Sequence, residues 1–322
     1  MRGRRILLVG QGCLTSALLG YLLSTVDIRR VGTTAANADL LLLLAGIIQL
    51  SVLFFLVALR WQLVACALGG ALPYPAALRF VWIGAFFSQL LPGSAGGDVV
   101  RMWLYWVRCG SRRLSIHSVA LERLLMVTVL LLLVLAIQPG LAARGAPLTI
   151  VFSVVVVLTG IVAGLAVLLF SGRLLVAYDK WLPIRMLSMV AGDMRDLFSN
   201  IPRTAMLCML SVAGHLNMVI AAWFIAHALG LGISLADCIV LIPVIVLAAT
   251  LPISVGGWGV RESAAISLFG LVGVSSSDAL ALSVLLGLAS VAVAIPGSIL
   301  WLIRDRHSES DMARWSATEP VD

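Results

Sequence analysis

The sequence predicts an all-α, polytopic membrane protein with six spanning helices and two inverted re-entrant helical hairpins. Composition is the first reason, because 61% of the residues are hydrophobic and only 11% are charged, whereas soluble domains carry roughly 25% charged residues. Long uncharged runs and a repeated glycine–proline motif are the other two. We therefore expect one integral membrane domain over residues 1–303 and a short cytoplasmic tail over residues 304–322.

The predicted spans are apolar runs of about the 20 residues that a helix needs to cross a bilayer. The first run follows a basic N-terminus and exceeds the roughly 7–15 residues of a secretory signal core, so we predict a spanning helix there. The six runs are 6–26, 40–59, 116–138, 148–170, 204–230 and 279–303.

Two shorter apolar stretches, 75–91 and 236–251, each lead into a proline and a glycine pair. The first continues as Leu91-Pro-Gly-Ser-Ala-Gly-Gly-Asp-Val-Val-Arg101 and the second as Leu251-Pro-Ile-Ser-Val-Gly-Gly-Trp-Gly-Val-Arg261. Leu, Pro, Ser, both Gly, Val and Arg coincide at a constant offset, which indicates an internal repeat with units at 75–113 and 236–273.

The net charge of +7 is explained by membrane topology. If each short stretch is a hairpin that returns to its own side, most basic residues lie on the side of the N-terminus, and only Arg29, Arg30 and Arg144 lie on the other. The positive-inside rule then predicts cytoplasmic termini, in the inner membrane of a prokaryote, and hairpins that enter from opposite faces. Because no basic patch forms, we expect no nucleic-acid partner.

Inverted, Gly/Pro-interrupted helices predict a central polar cavity, because freed backbone groups need partners at that depth. Ionisable residues in this region are the candidate functional residues, since burial is costly unless they are paired or hydrated. They are Asp98, Arg101, Glu122, Arg123, His215, Arg261 and Glu262. Asp98, Arg101, Tyr105 and Arg108 also share one helix face, which predicts a polar stripe from the first hairpin loop towards the cytoplasm.

Arg101 and Arg261 occupy equivalent positions of the repeat, and two guanidiniums brought together would suit a phosphate. The glycine pairs allow close backbone approach, and the helix N-termini that follow add donors. The predicted substrate site therefore also includes the motif residues Pro92, Ser94, Gly96, Gly97, Pro252, Ser254, Gly256 and Gly257. The alternative is that both arginines form structural pairs with neighbouring carboxylates.

Other polar residues have two interpretations each. Glu122 and Arg123 either line the cavity or form an interfacial pair whose arginine reaches the headgroups. His215 is either a hydrogen-bonding residue at a helix contact or a proton carrier. An aromatic belt at the cytoplasmic helix ends explains Trp61, Trp103, Trp106, Trp181 and Trp301.

The rest of the chain predicts no catalytic domain. Apolar residues at helical spacing predict an interfacial amphipathic helix at about 183–199. The five cysteines are scattered without a C-x-x-C pair, so we expect no metal site. We expect no cofactor either, because nucleotide-binding and hydrolase motifs do not occur.

Several stretches resemble the flippase-like, lysylphosphatidylglycerol synthase transmembrane-region family of bacteria and archaea. They are Arg60-Trp61, Phe80 to Arg101, Glu122-Arg123, where the family usually shows Asp-Arg, and Pro252 to Glu262. The resemblance implies a membrane protein that handles an anionic or polyprenyl-linked lipid, as does the flippase half of the bacterial multiple peptide resistance factor. That factor also carries a soluble aminoacyl-transferase domain, for which this sequence shows no segment before it ends at Asp322, so we do not expect lysyl transfer.

Three functions are therefore compared. The preferred one is translocation of an anionic phospholipid or a polyprenyl-linked lipid through the cavity between the hairpins, with Arg101 and Arg261 holding the headgroup. The alternatives are a membrane transferase in cell-envelope lipid or glycolipid synthesis and an accessory subunit that recruits a glycosyltransferase or lipid synthase through the amphipathic helix within residues 171–203. Membrane lipids are the expected partners, and a homo-oligomer is left open.

Overall fold

The computed structural model describes residues 27–90, 96–170, 191–250 and 257–303, and these residues are almost entirely helical. The helices, in chain order, are α1 (Ile28–Ala36), α2 (Leu40–Ala67), α3 (Tyr74–Leu90), α4 (Gly96–Cys109), α5 (Arg112–Ala136), α6 (Gln138–Ala143), α7 (Leu148–Phe170), α8 (191–198), α9 (Ile201–Ala228), α10 (Leu235–Thr250), α11 (Val260–Gly270), α12 (Ser276–Ala294) and α13 (Pro296–Leu302).

Four helical segments are long and apolar enough to cross a membrane: α2, α5, α9 and the continuous α12–α13 segment Ser276–Leu302. The predicted spans at 40–59, 116–138, 204–230 and 279–303 correspond to them. The predicted span at 148–170 corresponds to α7. Its described apolar stretch, Val151–Gly164, is shorter than the four spanning segments. The predicted first span at 6–26 lies outside the described residues. The chain is thus an all-helical protein of the polytopic membrane class.

A polar residue precedes each of the four long segments and caps it. The Asp39 side chain accepts hydrogen bonds from the backbone N–H of Leu41 and Leu42 at the start of α2. Ser111, Asn200 and Ser275 do the same at the starts of α5, α9 and α12. Each cap satisfies N–H groups that the first helical turn leaves unpaired, which is why the helices begin at these residues.

Helices α2 and α9 pack antiparallel and form the most extensive helix contact among the described elements. The backbone N–H of Asp39, before α2, donates to the carbonyl of Ala228, at the end of α9, at 2.7 Å. Near the middle, Gln49 Nε2 donates to Asn217 Oδ1 at 2.8 Å, and Asn217 Nδ2 donates to the Gln49 carbonyl at 2.9 Å. This reciprocal pair fixes the register of the two helices.

Helices α3 and α4 form an antiparallel hairpin. Gly84 of α3 and Gly97 of α4 face each other so closely that a Cβ on either would meet the other's carbonyl oxygen. At the open end, Ala76 near the start of α3 and Arg108 near the end of α4 line one cavity. Helices α10 and α11 pack as a second pair. The predicted arms at 75–91 and 236–251 thus correspond to α3 and α10 within one residue at each end.

The surface of the bundle carries large apolar side chains. Helix α2 exposes Leu40, Leu41, Leu44 and Ile48, and α7 exposes Phe152 among others. A soluble monomer rarely exposes such contiguous apolar faces. They suit helices that face lipid.

The short helix α8 contains the described part of the predicted amphipathic helix at 183–199. Met194 and Leu197 are 2% and 1% exposed and pack with core residues of α2, α5 and α9. Asp193 contacts Arg113 Nη2 at 3.3 Å and also contacts the His117 ring of α5. In this part of the segment the apolar side chains therefore pack against protein.

Candidate functional site

Five charged side chains from α2, α4 and α5 form a continuous chain of ion pairs, the first ion cluster. Arg60 Nε donates to Glu122 Oε1 at 2.9 Å, and Arg60 Nη2 contacts the same oxygen. Arg101 Nη2 donates to Glu122 Oε2 at 3.2 Å and to Asp98 Oδ1 at 2.6 Å. Arg123 Nη1 lies 3.6 Å from Asp98 Oδ2. Each carboxylate thus bridges two guanidiniums.

The inner members of the first ion cluster are deeply buried, whereas its outer arginine is accessible. The side chains of Arg60 and Glu122 are each 3% exposed, that of Arg101 is 7% exposed and that of Arg123 is 36% exposed. Buried charges require partners, and the bridging carboxylates supply them. Arg123 is therefore the member that can change partners most easily.

Close helix packing and an aromatic face place Arg101 in this cluster. Because Gly84 lacks a side chain, the Arg101 stem passes over α3; a Cβ on Gly84 would lie 2.6 Å from Arg101 Cγ. The Arg101 guanidinium lies 5.1 Å from the ring centroid of Trp61, at cation–π distance. Trp61 itself is fully buried and donates from Nε1 to Ser118 Oγ at 3.2 Å.

A cavity of about 200 Å³ lies beside the first ion cluster. All five charged residues line it, together with apolar side chains and with Gly84, Ser88 and Gly97 of the hairpin. Three arginines and two carboxylates leave one positive charge in excess. Such a site offers planar guanidinium donors to an anionic oxygen beside apolar side chains.

Arg261 belongs to a second and smaller group at the start of α11. Its Nη2 and Nε donate to Glu262 Oε1 at 2.6 and 3.0 Å, and Nε also lies 3.2 Å from Ser283 Oγ of α12. Its guanidinium stacks on Trp258, with 4.6 Å between Cζ and the ring centroid. Glu262, which is fully buried, also accepts from the Gly259 N–H at 2.6 Å. One arginine and one carboxylate make this group neutral.

The structure places Arg101 and Arg261 in separate ion groups, and Arg261 does not line the cavity beside Arg101. Both arginines contact carboxylates, as expected if they form structural pairs, and their contact with a substrate stays a prediction. The predicted pairing of Arg101 with Asp98 and Glu122 is present. The stripe residue Tyr105 is fully buried.

The described glycines of the two motifs differ in their surroundings. Gly96 and Gly97 open α4, and Gly97 permits the contact with Gly84. Gly257 precedes α11 with φ +79°, a conformation that residues with a Cβ rarely adopt. Gly256 and the motif residues Pro92, Ser94, Pro252 and Ser254 lie outside the described residues.

His215 lies at a contact between α9 and α5, where its Nε2 is 3.2 Å from the carbonyl oxygen of Met126. A carbonyl accepts only, so this nitrogen carries the proton of the hydrogen bond. The geometry fits the helix-contact interpretation of His215. His215 does not line the cavity beside the first ion cluster.

Two residues of the site were misassigned from the sequence. The sequence places Arg60 with the other basic residues on the cytoplasmic side and predicts Trp61 in an aromatic belt, but both are buried in the site. The predicted span stopped at the first charge, whereas α2 continues to Ala67 because Glu122 compensates Arg60. The apolar residues that follow Arg60 in the sequence were a signal that the helix continues past this charge. Ser211, whose hydroxyl accepts from Arg60 Nη1 at 3.3 Å, and Ser283 had no such signal.

A bundle of long apolar helices with apolar outer faces and internally paired charges defines an α-helical, multi-pass membrane protein. The family described as Lysylphosphatidylglycerol synthase TM region matches residues 6–297, and the chain belongs to this family. Among curated proteins, none matches the chain significantly. Family membership confirms the resemblance found in the sequence and indicates a role in membrane-lipid or cell-envelope metabolism.

Proposed function

We propose that this protein moves an anionic phospholipid or a polyprenyl-linked lipid intermediate between membrane leaflets, with the headgroup passing the first ion cluster. One observation carries the proposal: five ionised side chains line a cavity within the bundle and leave one positive charge in excess. A phosphodiester headgroup brings one negative charge and would neutralise the cluster. Acyl or prenyl chains would stay in the bilayer, where they need no protein cavity.

Arg123 is the proposed first contact for the headgroup. It is the most exposed arginine of the cluster and has the longest ion pair, 3.6 Å to Asp98. A phosphate oxygen that replaced Asp98 at Arg123 would leave Asp98 paired with Arg101 at 2.6 Å. The ligand would therefore bind without leaving a buried carboxylate unpaired, which would otherwise be costly.

We further propose that α2–α6 and α9–α13 are the two units of an inverted repeat. Helices α2 and α9 each have 28 residues, and the two series of helices follow the same order. Packing is reciprocal, because α3 contacts α12 as α10 contacts α5. The antiparallel contact of α2 with α9 suits units of opposite orientation.

In this proposal, α3–α4 and α10–α11 are re-entrant hairpins that open alternately, and Arg261 serves the headgroup when the second hairpin opens. With the predicted first helix, the topology has six spans and cytoplasmic termini, in the inner membrane of a prokaryote. The neutral Arg261–Glu262 pair would then release an anion more easily than the positively charged first cluster.

Reconstitution in liposomes tests the function. Trace fluorescent phosphatidylglycerol, phosphatidylcholine or polyprenyl phosphate is added, and a membrane-impermeant reductant measures how fast the inner-leaflet label becomes accessible. We expect the protein to accelerate transfer of an anionic lipid and Arg123→Gln to slow it about tenfold, equivalent to roughly 1.4 kcal/mol. Arg29→Gln is the matched control, because Arg29 is exposed on α1 and its substitution removes the same charge as Arg123→Gln.

Wild-type rates equal to those of protein-free liposomes would refute translocation. Equal rates for wild type and Arg123→Gln would refute the role of the cluster, and Arg101→Ala and Arg261→Ala extend this test to both hairpins. Formation of a new lipid product in the same vesicles would favour the transferase alternative. The accessory-subunit alternative has less support, because Met194 and Leu197 of its proposed recruiting segment are buried within the chain.

A further inference from the structure

Two adjoining cavities lie at the open end of the α3–α4 hairpin, away from the first ion cluster. One, of about 570 Å³, is lined by the loop after α2, by Arg108 and Cys109 of α4, and by Leu114 of α5. The other, of about 330 Å³, is lined by Arg79 and Phe80 of α3 and again by Arg108. Pro73 also lines both, so the cavities meet at Arg108. Their sizes are in the range of small-molecule sites.

The charges at this place differ from those of the first ion cluster. Arg79 and Arg108 line the cavities, and no carboxylate does so among the described residues. Arg108 is exposed, and Arg79 Nη2 donates to the Leu300 carbonyl at 3.3 Å. Two arginines that line adjoining cavities in which no described carboxylate takes part favour binding of an anion.

The surroundings suit an amphiphile better than a fully polar solute. Pro73, Pro75, Ala76 and Phe80 give the smaller cavity an apolar wall beside the arginines. On α4, Trp106 lies close in sequence to Arg108, and the Arg112 guanidinium stacks over it at 5.3 Å from the ring centroid. Tryptophan and arginine near a helix end are typical of the depth at which lipid headgroups lie.

Tyr105 separates this place from the first ion cluster. Arg101, Tyr105 and Arg108 share one face of α4, and seven residues of helix place the two arginines about 10 Å apart along the axis. Tyr105 is fully buried, its ring packs against Trp61 at 5.7 Å, and its hydroxyl has no hydrogen-bond partner among the described residues. An anion at Arg108 therefore does not share the cavity beside Arg101.

We propose that Arg108 and Arg79 form a second anion site, which binds the phosphate group of an anionic lipid at the membrane surface. This site does not depend on translocation, because it concerns binding at the end of the hairpin. Inorganic phosphate offers the same chemistry without the apolar chains. The apolar wall at Phe80 selects the lipid over the free ion.

Alkylation of Cys109 provides a local measurement of occupancy. Cys109 lines the larger cavity beside Arg108 and is partly exposed, and Cys66, which is exposed and does not line either cavity, is an internal control in the same chain. The full protein in detergent micelles is treated with iodoacetamide, and mass spectrometry follows both cysteines. The added probes are short-chain phosphatidylglycerol, short-chain phosphatidylcholine and inorganic phosphate.

We expect phosphatidylglycerol to slow alkylation of Cys109 about tenfold and to leave Cys66 unchanged. Arg108→Gln should require about tenfold more lipid for the same protection, whereas Arg29→Gln should behave as wild type. Protection by inorganic phosphate with the same dependence on Arg108 would support the anion site and identify its ligand as the free ion. Protection that Arg108→Gln leaves unchanged, equal protection by phosphatidylcholine, or no protection would overturn the proposal.

Discussion

Replacement of Glu122 by glutamine tests whether the first ion cluster is a compensated, buried unit. Glu122 is 3% exposed and accepts hydrogen bonds from both Arg60 and Arg101. Glu122→Gln keeps the shape but removes the negative charge, so one of two buried guanidiniums loses its counter-ion. Loss of one partner from a buried ion pair typically costs about 3–5 kcal/mol. At roughly 2–4 °C per kcal/mol, the unfolding temperature should fall by about 6–20 °C.

Thermal unfolding in detergent, followed by tryptophan fluorescence, measures the effect. Arg30→Gln is the control, because it breaks an ion pair with Asp278 whose arginine is 56% exposed, and such pairs contribute about 0–1 kcal/mol. The double variant Arg60→Gln with Glu122→Gln should recover at least about 1 kcal/mol relative to the sum of the single losses. A fall no larger than that of Arg30→Gln, or strictly additive losses in the double variant, would refute the reasoning.

Three further predictions concern packing and ion pairs elsewhere in the bundle. Gly97→Ala should force α3 and α4 apart at Gly84 and destabilise the protein by about 1–3 kcal/mol. Gly160→Ala on α7 is the control: a Cβ there meets nothing within 4 Å, so this substitution should not destabilise the protein. Gly287→Ala would place a Cβ 3.0 Å from Arg261 Cζ, so it should displace that guanidinium and lower the unfolding temperature. An unchanged unfolding temperature would contradict this and show that α12 can shift to make room for the methyl group. Asp237→Asn removes the negative charge of the 2.7 Å ion pair with Arg144, whose side chain is 20% exposed, and should cost about 1 kcal/mol or less. A larger loss in the same thermal assay would show that solvent does not screen this pair.

Much of the architecture followed from local patterns in the sequence. Long apolar runs predict the positions of α2, α5, α7, α9 and α12, because each run must satisfy its own backbone hydrogen bonds as a helix. The short arms α3 and α10 were recognised by the motif that follows each of them. The helix boundary at Ile137 agrees with the predicted end of the span at 138. The break at Ile295, inside the predicted span 279–303, was not predicted, although Pro296 stands just after it and favours a new helix start.

Site residues were predictable from the sequence where a charge stands within apolar surroundings. They were missed where contact with a residue far away in the chain determines whether the side chain is buried. Asp98, Arg101 and Glu122 stood out as charges within apolar surroundings, and the structure brings them together. Arg60 did not stand out, because it follows a long apolar run at a position that also suits a membrane boundary. Its burial depends on Glu122, 62 residues later in the chain, and no local pattern encodes that contact.

The reciprocal amide pair between Gln49 and Asn217 has a mechanical consequence. Its two hydrogen bonds, at 2.8 and 2.9 Å, join the long apolar helices α2 and α9. Sliding α2 along α9 by one helical turn would move these groups about 5.4 Å apart and break both bonds. Motion of α2 relative to α9 that keeps both hydrogen bonds is therefore restricted to rotation near this contact rather than sliding along the helix axes.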